Sequence, residues 1–106
     1  MDFGLSSSVI KKLQEVFESF REVNKVVIYG SRAKGNFREG SDIDLTLFGE
    51  NLDLKKLQKI ELEIDELYLP YKLDLSLFHQ ISNLDLIEHI NRVGKIFYQK
   101  EKTTSN

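Results

Sequence analysis

YGSRAKGNFREGSDIDLTLFG, residues 29–49, decides how this chain is read. A β-branched run, Val26-Val27-Ile28, stops at Gly30-Ser31; after ten further residues, Asp42 and Asp44 open a second apolar run with one residue between them. Side chains alternate along a strand, so Ile43, Leu45 and Leu47 share one face while Asp42, Asp44 and Thr46 share the other. Two carboxylates side by side on an apolar strand repel each other and lose hydration; a cation between them makes the pairing favourable. Hard divalent ions prefer oxygen, and magnesium takes one or two carboxylates and completes its shell with water and phosphate oxygens. The segment YKLDLSLF, residues 71–78, repeats the pattern, with Asp74 and Ser76 opposite Leu73, Leu75 and Leu77. If this strand neighbours the one opened by Asp42, three carboxylates converge. That layout suits two metal ions about 4 Å apart, clamping the attacking and leaving oxygens of a phosphoryl transfer. Gly30 lets backbone approach a ligand, Ser31 adds a hydroxyl at a turn whose N–H groups favour phosphate, and Arg32, Lys34 and Arg38 add positive charge.

Outward from this stretch, helical and strand patterns alternate. Ser6-Ser7-Ser8 offers an N-cap, and Val9, Leu13, Val16, Phe17 and Phe20 recur at helical spacing, which predicts a helix over about 7–21. Residues 25–29 read as a strand, 30–41 as a turn and loop with one helical turn, and 42–48 as a second strand. Asp53 can cap a second long helix carrying Leu54, Leu57, Ile60, Ile64 and Leu67, and Pro70 closes that region. A third strand over 73–78 is followed by a helix capped by Ser82 or Asn83 and ended by Gly94, then by a short strand over 95–98. The order α-β-(turn)-β-α-β-α-β predicts an α/β (α+β) domain, a sheet flanked by helices. The connection between the first two strands is close to the minimum for a parallel crossover, so an antiparallel or mixed sheet is favoured over a purely parallel one. Residues 1–98 form one domain in this reading, and 99–106 a polar tail expected to be unstructured.

Bulk composition fits that size. The chain has 106 residues, 41% hydrophobic and 30% charged, enough apolar material for one modest core. The net charge of -2 gives no sign of a nucleic-acid or membrane partner. There is no cysteine, which excludes disulfides and thiolate metal sites and fits a cytoplasmic location. No apolar stretch approaches the roughly 20 residues of a membrane span, and Asp2 precedes no apolar core of a secretion signal.

Rival motifs fail at named positions. Gly35 to Gly40 has the gap of a Walker A loop, but Ser41 stands where lysine is required. An EF-hand loop from Asp42 would need glycine at Leu47 and glutamate at Asp53. The set Gly30-Ser31, Asp42-Ile43-Asp44 and Asp74 instead resembles the nucleotidyltransferase superfamily that includes the DNA polymerase β palm. In particular it is similar to the minimal nucleotidyltransferase (MNT) proteins, stand-alone domains of about this length. The resemblance implies a mixed sheet with flanking helices. It implies nucleotide binding by Gly30 and Ser31, joined by Arg32 as a phosphate contact. It also implies catalytic and magnesium-binding roles for Asp42, Asp44 and Asp74, with two ions and ATP as substrate. It implies a partner as well: MNT proteins are typically encoded beside a HEPN-domain protein, as antitoxin and toxin, and can transfer AMP from ATP to a tyrosine hydroxyl of the HEPN ribonuclease.

Each of these residues also has a plain structural role open to it. A glycine and a serine suit any turn after a strand, and loop arginines are most often solvated. His79 and His89 read as structural or surface residues, with no second ligand at metal spacing. Two rival functions share the motif: a non-catalytic antitoxin that silences its HEPN partner by occlusion, and a small-molecule nucleotidyltransferase.

Overall fold

The computed structural model describes residues 2–101. Helix α1 spans Ser7–Glu18, strand β1 Lys25–Tyr29, the single-turn helix α2 Ser31–Lys34, β2 Ile43–Phe48, α3 Leu54–Asp65, β3 Leu73–Leu77, α4 Leu84–Val93 and β4 Lys95–Gln99, with a 3-10 turn at Phe78–Gln80. The long helices start where a side chain can accept a free N–H of the first turn. Ser6 Oγ accepts from Val9 N at 3.2 Å, Asp53 Oδ1 from Lys56 N at 2.8 Å, and Asn83 Oδ1 from Leu86 N at 3.2 Å. Helix α1 ends short of the expected Arg21. Ser19 Oγ turns back on Val16 O at 2.6 Å and Phe20 N bonds Phe17 O at 3.1 Å, tightening the last turn out of the α pattern.

The four strands lie in the order β3-β2-β1-β4. β1 is antiparallel to β2 and β4, whereas β2 and β3 run parallel and are joined through α3. The sheet is therefore mixed, as the short connection between β1 and β2 and the long one between β2 and β3 require. Ile43 N bonds Lys72 O at 2.9 Å, which starts the β2–β3 ladder one residue after Asp42.

Alternation sends the two faces of the sheet to different partners. Val26, Ile28, Ile43, Leu45 and Leu47 join Leu13 and Phe17 of α1 and Leu57, Ile60 and Ile64 of α3 in the main core. On the other face Val27 and Tyr29 pack with Ile90, Leu86 and Val93 of α4 and with Phe48 and Phe78. That second cluster is small, so α4 covers one part of the face and the polar row of β2 and β3 occupies another.

The polar tail read from residue 99 starts inside the sheet. Gln99 pairs with Lys25, Lys100 N bonds Asn24 O at 2.9 Å, and Lys100 Nζ bonds Arg21 O at 3.1 Å. Residues 102–106 of that expected tail lie outside the described residues. Among the described residues no helix is long and apolar enough to cross a membrane.

Candidate active site

Strand register assembles the site. Tyr29 of β1 faces Asp44 of β2 as a cross-strand pair, and Asp44 faces Asp74 of β3. Adjacent strands lie about 4.8 Å apart, so the two carboxylates stand side by side on one face. The next rung holds Thr46 and Ser76, whose hydroxyls are joined at 3.0 Å with Ser76 donating. Thr46 is fully buried, and this bond satisfies its oxygen. Asp42 precedes β2 and is exposed, as is Asp74, while Asp44 is half-buried.

The electrostatics follow from that crowding. Burial pushes the Asp44 carboxyl above its usual range, and the charges of Asp74 and then Asp42 push it further. Burial likewise raises the Tyr29 hydroxyl, with Asp44 and Asp74 adding to the effect and Ser76 pulling the other way. Asp44 thus stands where the charges of both neighbouring aspartates reach it.

The turn after β1 is shaped for close approach. Gly30 holds φ +77° and ψ -156°, a region reserved in practice to glycine. A Cβ there would lie 2.5 Å from Asp44 Oδ2, so the turn and the carboxylate are in contact only because residue 30 has no side chain. Ser31 follows as the first residue of α2 and is half-buried. Gly30 N donates to Nε2 of His89 at 3.2 Å, and the His89 ring meets Tyr29 edge-on, centroids 6.1 Å apart. His89 therefore has a structural role, in keeping with its reading from the sequence, and exerts it at the Gly30 turn. The sequence held a signal: residue 89 lies three after Leu86 and four before Val93, on the apolar stripe that faces the sheet. His79, in the 3-10 turn, is exposed.

Arg32 departs from the expected phosphate contact. It is 2% exposed, and its guanidinium is spent on backbone carbonyls: Nη1 on Phe3 O at 2.8 Å, and Nε and Nη2 on Ser41 O at 3.1 and 2.9 Å. The ring faces of Phe37 and Tyr71 lie 5.1 and 5.0 Å from its central carbon. The planar fork suits two carbonyls in two directions, and the rings shield it from water. Arg32 thus ties the N-terminal segment to the residue just before Asp42. Lys34 and Arg38 are exposed.

The strand pattern predicts three carboxylates converging on a pair of ions. Among the described residues no group of three His, Cys, Asp or Glu could hold a metal ion as it stands. Asp42 lies outside the strand ladder that pairs Asp44 with Asp74. The donors nevertheless fit magnesium. All are hard oxygens, the burial and like charge that disfavour the Asp44 carboxylate are what a cation offsets, and such an ion needs only one or two carboxylates beside water and phosphate. Clefts of about 540 Å³ between α3 and β3 and about 720 Å³ between α1 and β4 are lined by other residues; the carboxylates stand on an open sheet face.

Comparison with known proteins bears on the family and the fold. The pattern of the family "Polymerase beta, Nucleotidyltransferase" matches residues 11–103. A probable protein adenylyltransferase MntA of Haemophilus influenzae is 34% identical over 76 residues, which is 71% of this chain and 66% of that protein. The match thus spans just under two thirds of that relative. Among solved structures, a toxin-antitoxin complex with AMP-PNP superposes with a TM-score of 0.67 at 18% identity, covering 92% of this chain and 76% of that one. A tri-AMPylated Shewanella oneidensis HEPN toxin in complex with its MNT antitoxin gives 0.56 at 17% identity, over 88% and 68%. At these identities the structural likeness concerns the fold.

Proposed function

The chain belongs to the polymerase beta nucleotidyltransferase family, and from that premise we propose that it is an antitoxin that transfers AMP from ATP to a tyrosine hydroxyl of a HEPN-domain toxin. The observation that carries the reading is the register that sets Asp44 beside Asp74 and against a glycine turn free of side chain. The kinship with an MntA adenylyltransferase and the fold shared with MNT–HEPN complexes support it.

In this reading Gly30 and Ser31 receive the triphosphate, and Asp42 and Asp44, with Asp74, hold magnesium. When bound, the metal neutralises phosphate charge and favours the ionised form of the attacking hydroxyl. The tyrosine oxygen forms a bond to the α-phosphorus, the bond to the β-phosphate breaks, and pyrophosphate leaves. Asp74, exposed at the sheet's outer strand, accepts the hydroxyl proton. Positioning and charge compensation supply most of the acceleration. Because Asp42 and Asp74 face solvent, the partner can deliver its hydroxyl from outside, and no acceptor pocket is required of this chain.

The test incubates the purified protein with ATP labelled in the adenylate, magnesium and the HEPN protein encoded beside it. Label on a partner tyrosine, absent with Asp42→Asn or Asp44→Asn, is the expected result. Silencing of the partner that survives both substitutions without label would replace catalysis by occlusion.

A further inference from the structure

His89 connects α4 to the glycine turn across 59 residues of sequence. A backbone N–H can be received only by a lone pair, so with Nε2 accepting from Gly30 the ring carries its proton on Nδ1. The bond acts on the peptide between Tyr29 and Gly30, where the chain leaves β1 and takes up the positive φ of Gly30. Gly30 has no side chain and no side-chain cap bonds the start of α2; Lys34 N bonds Gly30 O at 3.1 Å on the far side of the residue, and the Gly30 N–H is received by His89. What holds α4 at the right height is packing. Ile90, next to His89, is buried against Val27 and Tyr29, and Gly94 lets the end of α4 press on Val27, where a Cβ would stand 2.6 Å from its Cγ1.

We infer that His89 is a positioning residue for nucleotide binding: its Nε2 lone pair holds the Gly30–Ser31 turn in the shape that receives the triphosphate. The inference rests on the nucleotidyltransferase reading of that turn. His89 acts through Gly30, so its loss weakens nucleotide binding more than it slows transfer.

Two variants separate the lone pair from the ring. His89→Phe keeps an aromatic ring against Tyr29 and removes the acceptor; His89→Gln keeps an acceptor oxygen and removes the ring. In the full-length ¹⁵N-labelled protein, the wild-type ring should show an unprotonated Nε2. His89→Phe should speed exchange of the Gly30 amide about tenfold, the measure of one lost hydrogen bond, with the β1–β2 ladder still protected. With the HEPN partner as acceptor, the same variant should raise the KM for ATP about tenfold at nearly unchanged kcat, and His89→Gln should recover most of both effects. His89→Leu serves as the second acceptor-free variant if phenylalanine overpacks. Unchanged Gly30 exchange and KM in the acceptor-free variants, or a glutamine variant as defective as they are, would overturn the role of His89 while transfer by the wild type stands. A wild type that neither binds nor transfers the nucleotide would overturn the functional reading and this inference with it.

Discussion

At the scale of single residues, Asp44 stands where its charge costs stability. Folding raises its pKa above the ordinary 3.8, first through burial and then through Asp74 and Asp42. The folded chain therefore holds this proton more tightly than the unfolded chain. The stability it contributes is complete below about pH 3.8 and is lost as pH rises through the raised folded value. At neutral pH the charged side chain opposes folding. Asp44→Asn is therefore expected to raise the thermal midpoint in metal-free buffer at pH 7, with a gain that fades toward pH 4, and to abolish transfer. Melts followed by circular dichroism in chelator across that range check it; a lower midpoint at pH 7 would contradict it. Arg32 shows the opposite balance. Arg32→Met strands the Phe3 and Ser41 carbonyls, and a loss of about 3 kcal/mol in urea unfolding is expected. These two residues mark how far the site was legible. Asp44 and Asp74 were legible as polar residues set between leucines, which alternation sends away from the core, and the register pairs them as the sequence pattern anticipated. Arg32 looked like its neighbours Lys34 and Arg38, since what separates them is burial beneath Phe37 and Tyr71, and Tyr71 comes from a distant part of the chain.

At the scale of elements, the caps and the alternation were readable because both are local. Ser6, Asp53 and Asn83 start their helices by bonding backbone three residues on, and period-two patterning places Asp44 and Asp74 on one face whatever the topology. Strand order was not local. That β3 pairs with β2 rather than lying at the far side depends on α3 packing over Ile43, Leu45 and Leu47. The reach of His89 to Gly30 depends equally on how α4 docks, which no short window contains. Gly94 is where that docking can be tested. A Cβ at residue 94 would meet the Ile90 carbonyl and lie 2.6 Å from Val27 Cγ1, so Gly94→Ala must lift the end of α4 from β1. A destabilisation of about 1–3 kcal/mol by chemical denaturation is expected, as for overpacking of a close contact. Its ATP KM should also rise, because the shift draws His89 away from Gly30. A variant as stable as the parent would show that α4 does not rest on β1 at that point.

At the scale of the whole molecule, the sheet separates two tasks. One face, closed by α1 and α3, carries most of the buried apolar area and hence most of the folding free energy; the other is left partly open by the short α4. The open part gathers Asp42, Asp44 and Asp74 in a chain whose net charge is already -2, so the free protein folds against a local excess of negative charge. Ions that occupy this place in the native state, and have no equivalent in the unfolded chain, must stabilise the fold by mass action. Magnesium with a non-hydrolysable ATP analogue, at about a hundred times its dissociation constant, is worth about 2.7 kcal/mol. In a domain of this size that is a rise of roughly 10 °C in thermal midpoint. The gain should require magnesium and analogue together, since phosphate oxygens complete a shell that no three described side chains form by themselves. It should disappear in the Asp42→Asn, Asp44→Asn double variant, although that variant begins from the higher midpoint in chelator. Differential scanning calorimetry of both proteins, with and without the HEPN partner, measures each contribution. An equal rise in the double variant would locate the bound ions away from the three aspartates, and the open face of the sheet would then need another ligand.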